Sequence, residues 1–100
     1  MQLKTTLEHY GLKERHAKIY LACLELGSAS IQKIALKSGF ARSTCEAVLK
    51  SLQERGFVTS HRKRNTRHFS PEEPRRVVSM AKEKAKLLEE ALPQFGALYY

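Results

Sequence analysis

One hundred residues make a single domain, long enough for a modest helical core and too short for a second sensor domain beside it. Lysine and arginine number 18 against 10 acidic residues, a net of +8, which favours an anionic partner, either nucleic acid or a membrane surface. No apolar run approaches the roughly 18 residues of a membrane span, and MQLKTTLEHY lacks a signal-peptide pattern, so a cytoplasmic protein is expected.

Leu3 to Tyr10 is predicted as a short helix ended by Gly11. Lys13 to Leu26 is a stronger case. Ala17, Tyr20, Leu21 and Leu24 hold a helical apolar face, Ile19, Ala22 and Cys23 widen it, and Gly27 closes it. Ser28 or Ser30 then caps the next helix by accepting from its free N–H groups.

The segment SIQKIALKSGFARSTCEAVLKSL, Ser30 to Leu52, reads as two short helices joined by a tight turn at Ser38–Gly39–Phe40. Ile31, Ile34, Ala35 and Leu36 give the first helix an apolar side. Ala41, Cys45, Val48, Leu49 and Leu52 recur at helical spacing along the second, which spans 41–54. With that face inward, Arg42, Ser43, Glu46, Ala47 and Lys50 point out, a pattern shaped for a DNA major groove.

After Gly56 the pattern changes. Phe57 to His61 carries β-favouring residues and Arg67–His68–Phe69 returns as a second strand, with Asn65 a turn residue between them. Arg62, Lys63, Arg64 and Arg67 supply fixed positive charge, and no acid occurs from Phe57 through Pro71. A hairpin tipped this way beside a recognition helix is a wing, anchored through Phe57 or Val58 and Phe69 and reaching along the backbone or into a minor groove.

Ser70–Pro71–Glu72–Glu73 has the makings of a helix start, serine at the cap, proline next and a glutamate three residues on. Pro74 leaves open whether this turn is separate from the long helix that follows. In that helix Val78, Ala81, Ala85, Leu88, Leu92 and Phe95 form a heptad seam read as a dimerisation surface. Pro93 should kink or end it near Leu92.

Nothing points to catalysis or metal chemistry. The carboxylates fall on solvated helix surfaces, and His9, His16, His61 and His68 are scattered without a ligand pattern. Cys23 and Cys45 have neither metal spacing nor a CxxC motif and read as small core residues, a redox role for Cys45 being the alternative. No cofactor is expected.

Gly11 to Val58, GLKERHAKIYLACLELGSASIQKIALKSGFARSTCEAVLKSLQERGFV, with the basic hairpin and SPEEP after it, resembles the TrmB family of archaeal and bacterial winged-helix transcription regulators. The likeness covers roughly the first seventy residues. It implies that Arg42, Ser43 and Thr44 lie at the groove-entering end of the recognition helix and that Arg62 to Arg67 is the wing. The chain departs from the family pattern at Lys13, His16 and Glu46, the last standing where tyrosine is common on the DNA-facing side. Larger members continue into a sugar- or effector-binding domain, so a short form without its own small-molecule sensor is implied.

The fold expected is mainly α (α+β), a winged helix-turn-helix with a two-stranded β wing over residues 1–70 and a long C-terminal dimerisation helix over 71–100. The function expected is sequence-specific binding of double-stranded DNA by a homodimeric regulator, by default a repressor. Candidate DNA-contacting residues are Ser30, Arg42, Ser43, Thr44, Glu46, Ala47, Lys50, Arg62, Lys63, Arg64 and Arg67. The alternative is a winged-helix adaptor that binds other proteins through its C-terminal helix.

Overall fold

The apolar spacing near the N-terminus produces two helices, α1 (Leu3–Tyr10) and α2 (Glu14–Leu26), in the computed structural model, which describes residues 2–100. Helix α1 buries Leu7, and α2 buries Ala17, Ile19, Tyr20, Ala22 and Cys23. The chain then forms a strand that sequence periodicity does not reveal, β1 (Ala29–Ser30). Two residues are too short to show alternation. Its partner strand nonetheless offers an open edge, and the backbone groups of buried Ala29 need partners there.

Ser30 ends β1 and caps α3 (Ile31–Ser38), its Oγ accepting from the Lys33 N–H at 3.3 Å. Helix α3 buries Ile31 and Ile34. Leu36, expected on the apolar side, is 78% exposed, because two residues past Ile34 is roughly 200° around the helix. Gly39 turns the chain with φ +81° in the left-handed region, where a side chain costs about 1 kcal/mol or more. Ala41 is the extended, exposed N-cap of α4 (Arg42–Glu54) rather than part of its packed face. Cys45, Val48, Leu49 and Leu52 are buried as the spacing requires.

Gly56, at φ +83°, reverses the chain into the hairpin and lies against Met80, so close that an added Cβ would sit 2.5 Å from its Cε. The strands are β2 (Val58–Lys63) and β3 (Thr66–Pro71), antiparallel, with His61 opposite His68 and Lys63 opposite Thr66. They run further than β-propensity suggested and take in Arg62 and Lys63, because the turn is only Arg64–Asn65. Both turn residues have positive φ, 52° and 64°, as the tight turn matched to strand twist demands. The sheet has three strands in the order β1-β3-β2, against the two expected, with Ala29 opposite Phe69.

Phe57, Val58 and Phe69 all pin the hairpin to the core. The Phe57 ring meets Tyr20 edge-on at 5.3 Å and Tyr10 at 6.1 Å. The core is thus shared by the helix-turn-helix and the sheet, which fixes the hairpin relative to α4.

The expected helix start at Ser70–Pro71 does not form. Ser70 and Pro71 pair with Thr59 and Val58 as the end of β3. Glu73 is the N-cap, its Oε2 accepting from the Arg76 N–H at 3.2 Å, and Pro74 begins α5 (Pro74–Glu90). Ala91 ends α5 and α6 (Leu92–Tyr99) follows, with Pro93 in its first turn. A proline lacks the N–H that a continuing helix requires. The single long helix is therefore two, with Val78, Ala81, Ala85 and Leu88 on α5 and Leu92 and Phe95 on α6. Neither helix contributes a buried residue.

Candidate nucleic-acid interface

Four inward residues on α4 fix its rotation. Arg42, Ser43, Glu46, Ala47, Lys50 and Gln53 are consequently exposed, and Thr44 is half-buried at the edge of the same face. No side chain caps this helix. The N–H groups of its first turn are therefore left without a side-chain acceptor, at the end of the helix where its dipole favours an anion. No ion pair joins Arg42 to Glu46 among the described residues.

Helix α2 adds a residue that sequence reasoning missed. Arg15 shares a shallow recess with Ser43, Thr44 and Ala47. Its signal was weak: a polar position on a helix assigned only to the core. Lys13 and Lys18 stand near Arg15 in a second recess that reaches Phe40.

The register of the hairpin sorts its side chains. Arg62 and Arg67 are opposite one another on the face that carries Ser60 and Phe69. The Arg67 guanidinium lies 4.9 Å from the Phe69 ring centroid. Its Nη2 approaches Gln53 Oε1 at 3.5 Å, and Gln53 Nε2 donates to Ser60 Oγ at 3.1 Å. Gln53 therefore joins the last turn of α4 to both strands, a role that an outward glutamine did not announce in the sequence.

On the other face His61 and His68 stand with ring centroids 5.8 Å apart. His61 Nε2 is 3.2 Å from Ser28 Oγ. Ser30 neighbours His68 across the sheet, its hydroxyl engaged in the α3 cap. Lys63 and Arg64 lie at the exposed tip. The structure thus gathers Arg42, Ser43, Thr44, Glu46, Ala47 and Lys50 along α4, continues through Gln53 to Arg67 and Arg62, and sets Ser30 on the far side of the sheet.

The ion pairs lie elsewhere. Lys4 and Lys18 meet Glu14, Lys4 meets Glu8, Lys37 meets Glu25, and Arg76 meets Glu72. Lys18 and Lys4 also hold the Glu14 carboxyl below its usual range. Among the described residues, Arg42, Lys50, Arg62, Lys63 and Arg64 have no acidic partner, so their charge is free to meet a polyanion.

Burial pushes the His16 imidazole below its usual 6.5, with Arg15, Lys13 and Arg55 adding to the effect. Its Nδ1 is buried without a hydrogen-bond partner. The folded state therefore resists a proton that the unfolded chain accepts. The associated stability is whole above about pH 6.5 and is lost as pH falls through the folded-state value. We expect the urea midpoint to drop between about pH 7.5 and 5 in the wild type and to drop less in His16→Gln.

Cys23 and Cys45 are buried and unpaired with each other by any disulfide. Both read as small core residues in the sequence, and packing of α2 on α4 brings them into one core. Burial, with Cys45 beside it, raises the Cys23 thiol to about 11. Among the described residues no group of three or more metal-binding side chains is assembled, and no helix is long and apolar enough to cross a membrane.

A family model described as the sugar-specific transcriptional regulator TrmB matches residues 7–77. The chain belongs to the TrmB family. Its fold is the winged helix of the similar structures that follow. It is similar in structure to TrmBL2, an archaeal chromatin protein reported to bind DNA in a novel mode. There the TM-score is 0.78 at 22% identity, over 95% of this chain and 38% of that one.

It is also similar to BpsR of Bordetella bronchiseptica, whose DNA binding is regulated by 6-hydroxynicotinic acid (TM-score 0.62, 17% identity, 90% of this chain and 60% of that one). A third is the homodimeric winged helix-turn-helix domain of Mb0332 from Mycobacterium bovis (TM-score 0.56, 20% identity, 80% and 72%). At these identities the likeness is one of fold. No curated protein matches the chain in sequence. The chain therefore spans 38% and 60% of the first two structures, respectively.

Proposed function

We propose that the chain binds double-stranded DNA sequence-specifically as a homodimer, with α4 in the major groove and the hairpin on the flanking backbone or minor groove. Repression follows from steric occlusion of a promoter. One observation carries this reading. Arg42 and Lys50 on the exposed face of α4, which also carries Glu46 and Glu54, continue into the acid-free basic hairpin without an ion pair among the described residues, and Gln53 joins the two.

Within that surface Arg42 is assigned to a guanine, where its two-pronged guanidinium matches the O6/N7 edge. Ser43, Thr44 and Lys50 are assigned to phosphate, with Arg62, Lys63, Arg64 and Arg67 alongside them. Ser30 and Ala47 are peripheral contacts. Glu46 is left to accept from a cytosine amino group, since a carboxylate facing phosphate is repelled. Residues 71–100 serve as the pairing element.

Selection of genomic fragments with purified protein tests the proposal, returning a motif, its symmetry and its half-site spacing. Arg42→Ala is expected to relax one position of that motif by about 1–3 kcal/mol of base discrimination. If wild type captures no duplex at low salt, the reading is lost. The rival, an adaptor working through its C-terminal arm, is favoured by the exposure of Leu98, Tyr99 and Tyr100. It predicts wild type that ignores duplex while the arm binds another protein.

A further inference from the structure

Between α1 and α5 runs an apolar groove of about 410 Å³, walled by Leu7, Tyr10, Phe57, Val78, Ala81 and Ala85. It continues into an uncovered stripe along the arm, where Leu88, Leu92 and Phe95 are each more than half exposed. We propose that a second copy of this chain fills the groove, the two α5–α6 arms running antiparallel about a two-fold axis near Lys86 and Leu87. This rests on the homodimer reading above and adds to it the direction of the arms and the occupant of the groove.

The argument is one of size. Along the seam the side chains begin small, at Val78, Ala81 and Ala85, and end large, at Leu88, Leu92 and Phe95. Antiparallel pairing alternates the two kinds of core position across the interface. Val78 then meets the partner's Phe95, Ala81 the partner's Leu92, and Ala85 the partner's Leu88. Each small residue receives a large one, as close packing requires.

Parallel pairing sets alanine against alanine and phenylalanine against phenylalanine. It also keeps the two α6 helices together, away from the groove. Only the antiparallel arrangement carries α6 to the partner's α1. The segment that arrives is chemically suited, since no charged side chain occurs from Leu92 to Tyr100. At the flank Lys82, on the rim of the groove, comes beside the partner's Glu89, an opposite-charge pair repeated by symmetry. A small-molecule occupant would leave the rest of the stripe bare.

The experiment uses the full chain. Spin labels are placed at Lys86→Cys or Ser79→Cys, both exposed and one heptad apart; the native thiols are buried. Antiparallel arms put the labels at position 86 near the axis. Those at position 79 are offset by roughly 22 Å along the helices at 1.5 Å per residue. The inter-label distance should therefore be clearly longer for Ser79→Cys, and equal distances at the two positions overturn the proposal. Equal distances in a dimer that still binds duplex leave the DNA reading standing; loss of duplex binding by wild type removes that reading instead.

Sedimentation supplies the second arm of the test. Ala81→Leu and Leu92→Ala should each weaken dimerisation about tenfold or more, and the double variant should recover to within about threefold of wild type. Independent losses, or a wild-type monomer at tens of micromolar, also overturn the proposal.

Discussion

Replacing Arg62, Lys63 and Arg64 together by alanine will weaken duplex binding more than any single change on α4 and will flatten its salt dependence. If each protomer engages about five phosphates through Lys50, Arg62, Lys63, Arg64 and Arg67, a dimer engages about ten, and log K should fall with log salt at a slope near −9. The triple variant removes about six of those contacts and should leave a slope near −4. At about 0.15 M salt this is a loss of at least a hundredfold, and the gap widens as salt falls, because the wild type has the steeper slope. The tip is exposed and forms no ion pair among the described residues, so the fold should be untouched. Titration of labelled duplex at several salt concentrations is the measurement. An unchanged slope would mean that the hairpin never meets the backbone.

Phe69→Ala should destabilise the domain by about 3–5 kcal/mol, the usual cost of emptying a buried aromatic site. That is a large share of the roughly 5–15 kcal/mol available to a domain of this kind. Phe69 is 1% exposed, stands opposite Ala29 and Ser60 in the sheet, and supports the Arg67 guanidinium. Its loss therefore removes core packing and the seat of a proposed phosphate-binding arginine at once. Urea unfolding should show a lower midpoint with a similar slope, and Phe69→Leu should recover most of the difference. A shift under 1 kcal/mol would mean that the sheet is not held through this ring.

Where a helix alternates buried and exposed positions over several turns, the sequence was legible. The inward set Cys45, Val48, Leu49 and Leu52 determined the rotation of α4, hence which of its side chains are outward. Legibility failed where structure depends on a distant partner. Ala29 and Ser30 become a strand only because β3 arrives beside them. Ser70 and Pro71 carry helix-start chemistry, but the pairing partners Thr59 and Val58 hold them extended, and Glu73–Pro74 does the capping instead. Leu36 looked apolar by composition and faces solvent by angle. Gln53 and Arg15 were missed because a polar residue on a helix surface gives no local sign of its neighbour. The TrmB-like spacing carried the family assignment further than any one of these elements did.

The hairpin turn has a consequence for how this protein can change. Arg64 is held at φ +52°, a backbone state that asparagine or glycine occupies with less strain. A glycine there would tighten the fold and strip a cation from the ribbon's end in the same stroke. Durability and the proposed grip on DNA therefore pull in opposite directions at that one position, so a lineage drifting toward greater heat tolerance would have to recover the lost charge somewhere else.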